Sequence, residues 1–290
     1  MILVTGATGK VGGQAVSQFL DAGVAVRALT RDPASAALPE GAEVVRGDLA
    51  DPATLDTALD GVESVFLVWP TLSADHAAPA TIKAIAGHAR RIVYVSARGV
   101  PDPAPDAPEG DPNSILGSHA LLERLIEGSG LEWTFLRPGG FAANTLMWAP
   151  QIRDTGIVRW VHGGASRALI HERDIAAAGV SVLTGTGPGT GHAGARYVLS
   201  GPEPLTQIEQ VTAIGEAIGR PVRWEELSPE IALRGLLDQG WPPAVAEGVI
   251  DAHARMATSP ESATSAVEEI TGSPATPFRQ WAADHADDFR

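Results

Sequence analysis

The chain has 290 residues, 44% of them hydrophobic and 19% charged, enough apolar material for a packed core and too few charges for a disordered chain. Its 35 acidic residues outnumber 21 basic ones, for a formal charge of −14, and such a surface repels nucleic-acid phosphates and anionic membranes. Cysteine is absent, which excludes disulfides, thiolate metal sites and cysteine nucleophiles.

Met1 leads directly into Ile2-Leu3-Val4 without a basic leader, and no secretory signal is expected. Apolar runs such as 64–69 are far below the roughly 20 residues a membrane helix needs. A cytoplasmic protein is the expectation, with a small-molecule substrate and neither nucleic acid nor membrane as partner.

Short apolar, β-branched runs alternate with helical patterns along the first half. Strands are expected at 1–5, 24–29, 42–46, 64–69, 91–96 and 131–137, near-continuously apolar as strands covered on both faces are. Helices fall between them at 11–22, 52–60, 77–89 and 115–128; in the first, Val11, Ala15, Val16, Phe19 and Leu20 share one face. This alternation specifies an α/β fold with a doubly wound parallel sheet of the Rossmann kind. Asp32-Pro33 and Asp51-Pro52 place a cap before a proline, and Gly23 and Gly130 stop helices.

Two segments break the rhythm. PDPAPDAPEGDP at 101–112 reads as a mobile loop after the fifth strand, and GTGPGTGHAGA at 185–195 as a Gly-rich surface turn. Beyond them the pattern is mixed. Short strands are expected at 168–171, 195–201 and 222–227, and helices at 171–183, 229–257 and 277–289. A further amphipathic helix at 206–219 starts with Thr206 as cap and Glu209 as its capping-box partner. Residues 1–150 therefore read as the sheet domain and 151–290 as a smaller, partly discontinuous, mixed α/β C-terminal substrate lobe. Phe278, Trp281 and Phe289 in the last helix could pack on the core or on a second subunit of a homodimer.

The motif that carries chemistry is V-T-G-A-T-G-K-V-G at 4–12, with Gly6, Gly9 and Gly12 three apart. A sharp turn from strand to helix favours glycine. Without side chains, backbone N–H groups can approach a pyrophosphate, and the new helix aims its positive end at that anion. Gly12 lets the helix lie against the first strand. The expected contacts are Gly6, Thr8, Gly9, Lys10, Val11 and Gly12. The alternative is an ordinary tight βα turn.

The second strand ends in Leu29-Thr30-Arg31. Arg31 stands where a guanidinium could clamp a 2′-phosphate, so NADP(H) is preferred over NAD(H); a solvated surface charge is the alternative. Asp32 precedes Pro33 and reads as a cap. Asp48-Leu49 lies at the expected adenine edge, where Asp48 could accept from the adenine amino group or cap the loop.

The segments VTGATGKVG (4–12), ALTRDP (28–33), GDLADP (47–52), IVYVSARG (92–99), SGLEWTFLRPGGF (129–141), IHERDIAAA (170–178) and YVLSGPEPLT (197–206) together resemble the atypical, extended-like short-chain dehydrogenases, and most closely the NmrA-like group. The resemblance spans nearly the whole chain. It implies NAD(P)H binding, with further contacts from Val68, Trp69 and Pro70, from Ser96, and from Arg137–Phe141, which includes Pro138 and Gly139. The group contains quinone reductases, natural-product reductases and nucleotide-sensing regulators.

The superfamily's catalytic Tyr-x-x-x-Lys pair is missing. Counting back from Gly130, its lysine slot falls on His119 and its tyrosine slot on Ile115; the only tyrosines, Tyr94 and Tyr197, are followed four residues later by Arg98 and Gly201. His119 is the candidate catalytic residue, for a ribose hydrogen bond or as an acid near neutral pH. The alternative is a helix histidine bonded to nearby backbone. Glu123 reads as one half of a structural salt bridge. Ser96 could serve the nicotinamide side or cap the strand. Phe141, Asn144 and Trp148, with Trp160, could line a substrate pocket or lie in a core. His171, Glu172 and Asp174 lack metal-ligand spacing, so no metal is expected.

These features suit an NADP(H)-dependent oxidoreductase that passes hydride to a small conjugated acceptor, quinone-, enone- or imine-like, with 101–112 as a lid. The alternatives are a non-catalytic redox sensor that binds a protein partner, and a redox-neutral isomerase or cyclase.

Overall fold

A computed structural model describes residues 1–69, 76–102, 114–189 and 191–290. In chain order its elements are β1 (Ile2–Val4), α1 (Lys10–Asp21), β2 (Val26–Thr30), β3 (Glu43–Arg46), α2 (Asp56–Leu59), β4 (Ser64–Val68), α3 (Ala78–His88), β5 (Arg91–Val95), α4 (Ile115–Glu127) and β6 (Glu132–Pro138). Next come α5 (Ala149–Thr155), β7 (Ile157–Trp160), β8 (Ser166–Arg167), α6 (Glu172–Thr184), β9 (Ala195–Leu199), β10 (Leu205–Thr206) and α7 (Gln207–Ile218). The chain finishes with β11 (Arg223–Glu226), α8 (Pro229–Asp238), α9 (Pro243–Thr258), α10 (Ala266–Thr271) and α11 (Phe278–Asp284). No helix among the described residues is long and apolar enough to cross a membrane.

Seven strands form one parallel sheet in the order β3-β2-β1-β4-β5-β6-β9. This is the doubly wound Rossmann arrangement read from the sequence. Side chains alternate across it. Leu3, Val65, Leu67, Ile92, Tyr94 and Phe135 pack with Ile82 and Ile85 of α3 and Leu122 and Ile126 of α4 on one face. On the other, Phe66 meets Phe19 of α1 edge-on at 6.3 Å between ring centres. Gly179 of α6 lets that helix close on the same ring, since a β-carbon there would lie 2.1 Å from Phe66.

The chain divides into two compact units: 1–139 with 172–199 and 266–274, and 140–171 with 200–265 and 275–290. A single boundary at 150 is therefore replaced by an interleaved one. Two expectations placed in the C-terminal lobe belong to the sheet unit instead. Strand β9 pairs with β6 from Thr134↔Ala195 to Pro138↔Leu199, and α6 covers the sheet beside α1. The loop 103–113, most of the expected 101–112 lid, lies outside the described residues, as does Thr190 of the Gly-rich turn.

In the second unit β7 pairs in parallel with β11, and β8 pairs antiparallel with β10. The strand expected at 168–171 is displaced: β8 stops at Arg167, and only Ile170 forms a bridge, to Phe141. The helical stretch from 229 is two helices, because Gly240 takes a left-handed φ of +85° before Pro242-Pro243 opens α9. The capping box at Thr206 and Glu209 is present. Phe278, Trp281 and Phe289 are 3%, 0% and 0% exposed and pack in this unit's own core with Val211 and Ile214 of α7, so the last helix needs no second subunit to cover these rings.

Helix boundaries in the first unit follow the expected chemistry with one exception. Gly23 and Gly130 take φ of +71° and +83° after α1 and α4. Asp32 accepts a hydrogen bond from the N–H of Ala34 at 3.1 Å, as a cap does. Asp51 makes no such bond; Pro52 starts a single 3₁₀ turn over Pro52–Thr54 instead.

Candidate functional site

The chain reaches the far edge of the sheet at β3 and returns to β4 beside β1. The carboxyl ends of β1 and β4 thus flank the point where strand order reverses, the position at which such sheets bind ligands. The turn after β1 is fixed by Thr5, whose hydroxyl donates to the carbonyl of Val68 at 2.8 Å and accepts from its N–H at 2.9 Å. Gly6 adopts φ +59°, and a β-carbon there would sit 3.1 Å from Val68 Cβ. The N–H of Gly9 closes the turn on Gly6 at 2.9 Å, and Gly12 packs on the Gly6 carbonyl too closely for any side chain.

Helix α1 opens on Gly9 with no side-chain cap and no acidic residue in its first turn. Its leading N–H groups and positive dipole end are therefore available to an anion. Thr8, Gly9 and Lys10 are exposed beside them, while Val11 is buried. A glycine cradle that a β-carbon would fill, set against an uncapped helix start, fits a dinucleotide pyrophosphate.

Arg31 follows β2 directly and is exposed. Asp48 shapes the next turn: its carboxylate accepts from the N–H of Ala50 at 2.9 Å, and its N–H donates to Thr54 Oγ1 at 2.9 Å. The loop-capping reading of Asp48 is thus realised in the geometry. Leu49 is 4% exposed and belongs to the sheet core, where its carbonyl accepts from Thr81 at 2.7 Å. Trp69 packs half-buried against the same core, and Pro70 lies outside the described residues.

On the other side of β4, strand β5 and helix α4 meet through two polar pairs. The Tyr94 hydroxyl lies 2.5 Å from His119 Nδ1, and the Ser96 hydroxyl donates to Glu123 Oε1 at 2.5 Å. Tyr94 and Ser96 are two apart on an extended strand and its exit, and His119 and Glu123 are four apart on a helix, so each set shares a face. Glu123 also receives Arg137 of β6 in a two-pronged grip, Nε to Oε1 at 3.0 Å and Nη2 to Oε2 at 2.7 Å. Arg137 reaches Asp102 at 2.7 Å, and Arg196 of β9 pairs with Glu127. The salt bridge expected of Glu123 is this one.

His119 departs from two of its sequence readings, the acid near neutral pH and the backbone-bonded helix histidine. Its partner is a side chain, not backbone. Burial lowers its pKa to about 4, against an opposing pull from the Glu123 carboxylate, so the ring is neutral near pH 7 and is no acid there. Burial, and secondarily Glu123, raises the Tyr94 phenol well above its ordinary value. Tyr94 is 0% exposed; it cannot stand in for the missing catalytic tyrosine. Ile115, at the tyrosine slot, is 43% exposed at the start of α4.

Beyond β6, the Pro138 carbonyl accepts from Arg98 N–H at 2.9 Å and Gly139 N–H donates to the Leu199 carbonyl at 2.9 Å, which spends both groups on the strand end. The three candidate substrate residues lie in the second unit, where the Phe141 carbonyl accepts from the Asn144 N–H at 3.1 Å. Phe141 precedes the 3₁₀ turn of Ala142–Trp148, Asn144 is exposed, and Trp148 is 3% exposed in that unit's core, edge-on to Trp224 at 6.0 Å. Trp160, at 7% exposed, lies in the same core. His171 bonds Asp284 at 3.4 Å.

Sequence reasoning missed Tyr94 as the partner of His119. The signal was available: a polar pair at i and i+2 on one strand facing a polar pair at i and i+4 on the next helix.

The profile of the family described as NAD(P)H-binding matches residues 6–185. The chain is 42% identical, over 100% of its length and 99% of the relative's, to a (4-alkanoyl-5-oxo-2,5-dihydrofuran-3-yl)methyl phosphate reductase of Streptomyces griseus subsp. griseus. It is 33% identical, over 100% and 99%, to an NAD(P)H azoreductase of Xenophilus azovorans. Among solved structures, an NADPH-dependent quinone oxidoreductase of Escherichia coli superposes with a TM-score of 0.77 at 26% identity, covering 98% of this chain and 99% of that one. With its glycine cradle, reversed strand order and missing Tyr-x-x-x-Lys pair, the chain belongs to the NAD(P)H-binding, NmrA-like branch of the atypical short-chain dehydrogenases/reductases.

Proposed function

We propose that this protein is an NADPH-dependent reductase of small conjugated acceptors, in which the residues around His119 supply a neutral hydrogen-bond donor and no protein acid. The observation that carries the reading is the pairing of the open glycine cradle with a neutral His119 where the superfamily places its lysine. When bound, the nicotinamide supplies the hydride. Residues Gly6–Gly12 would hold the pyrophosphate, Arg31 a 2′-phosphate, and His119 an oxygen in the reaction zone.

An acceptor that needs no general acid must delocalise the incoming electron pair. Three similar proteins act, by their names, on acceptors of that kind. The name of the Streptomyces relative describes a ring alkene conjugated with a lactone and a ketone carbonyl; the others reduce azo and quinone groups. With any acceptor of this kind, hydride would add to the conjugated system, the charge would settle on oxygen or nitrogen, and a solvent proton would complete the product. Among these, the full-length 42% match favours an acyl-substituted enone.

The test is NADPH oxidation at 340 nm with an acyl butenolide, a quinone and an azo dye. Turnover of the butenolide well above the other two supports the reading. No turnover of any, with NADPH bound, replaces it with a nucleotide sensor.

A further inference from the structure

The Tyr94 hydroxyl is fully buried and, among the described residues, has His119 Nδ1 as its one hydrogen-bond partner. A buried O–H must find an acceptor, whereas a hydroxyl oxygen can go without a donor at smaller cost. The phenol proton therefore points to Nδ1, which must be bare. In a neutral imidazole the remaining proton then sits on Nε2. Nε2 takes no hydrogen-bond partner among the described residues.

We propose that Tyr94 is a positioning residue that locks His119 in its Nε2–H tautomer, so that the ring presents one neutral donor, never an acceptor, to an oxygen of the bound dinucleotide or of the acceptor molecule. This rests on the functional reading above only for what receives the bond; the tautomer itself is a property of the free protein. Ser96 and Glu123 hold the neighbouring turn of α4 through their own bond, and the ring of Tyr94 is set by Phe135, edge-on at 6.1 Å. The hydroxyl thus reaches Nδ1 from β5, a strand paired on both sides.

Long-range proton–nitrogen NMR of the free protein at pH 7 tests the lock directly. The expected His119 spectrum has a bare, hydrogen-bonded Nδ1 and a protonated Nε2; a protonated Nδ1 in the wild type overturns the proposal. Tyr94→Phe, which keeps the ring, should mix the tautomers. It should also weaken NADPH binding, or lower kcat/KM for the acceptor, by about three- to tenfold, the worth of one neutral hydrogen bond. A loss in Kd identifies the dinucleotide as the recipient, and a loss in kcat/KM alone identifies the acceptor. In a His119→Ala background the Tyr94→Phe penalty should vanish; a penalty of the same size there, or none in either constant in the wild-type background, overturns the proposal. Wild-type protein that fails to bind NADPH would sink the functional reading, while its spectrum would still decide the tautomer.

Discussion

A β-carbon on Gly12 would lie 2.2 Å from the carbonyl oxygen of Gly6, so the phosphate turn and the first turn of α1 are in backbone contact. Backbone cannot swing aside as a side-chain tip can. Gly12→Ala should therefore push the loop and helix apart, costing about 1–3 kcal/mol in stability and at least tenfold in NADPH affinity. Thermal melts and cofactor titration check both. Gly87, where a β-carbon would meet nothing within 4 Å, should accept alanine without loss of affinity.

The bridge between Arg137 and Glu123 lies in the interior, with side-chain exposures of 6% and 4%. Breaking a buried pair from one side leaves an uncompensated charge and costs roughly 3–5 kcal/mol. Because Asp102 still faces Arg137 at 2.7 Å, Glu123→Leu should lose part of that amount, and Glu123→Leu combined with Arg137→Met should recover some of the loss. Urea unfolding of the two variants and the wild type gives the comparison.

His119 contributes a pH dependence of known sign. Its ring takes a proton in the folded protein only below about 4, against an ordinary histidine value of 6.5. Between those values the unfolded chain binds more protons, so stability rises with pH. The contribution is complete above pH 6.5 and is lost as pH falls toward 4, amounting to about 3 kcal/mol at most. His119→Gln should flatten the fall in urea midpoint across this window relative to the wild type. An unchanged slope would mean the ring is not held neutral.

Arg31 is exposed just after β2, and in the proposed NADPH-dependent reading its guanidinium would clamp a 2′-phosphate, a stronger bond than it would make to a 2′-hydroxyl. Arg31→Asp should lower NADPH affinity by about tenfold or more, the worth of a charge-assisted bond, and leave NADH affinity equal or improved. Parallel titrations with both cofactors decide it.

The sheet is legible in the sequence because strand periodicity and the glycine triplet are local signals. The runs ending at Val4, Val68 and Val95 announce themselves by composition, and Gly6, Gly9 and Gly12 by spacing. What escapes is non-local. Nothing in ARYVLSG says that its strand pairs with β6 and not with a separate lobe, and a seam at 150 is misplaced for that reason. Trp148 looks like a pocket residue because an aromatic after the sixth strand fits either role; only packing against Trp224 assigns it to a core. The His119 environment is half legible, since residue type is visible but the hydroxyl from Tyr94 is not.

The most direct test of the account is titration of the purified protein with NADPH, followed by energy transfer from its seven tryptophans, with NADH alongside. Saturable NADPH binding, tighter than NADH and weakened by Gly12→Ala, is the expected result. Absence of binding by either cofactor to folded protein would contradict it.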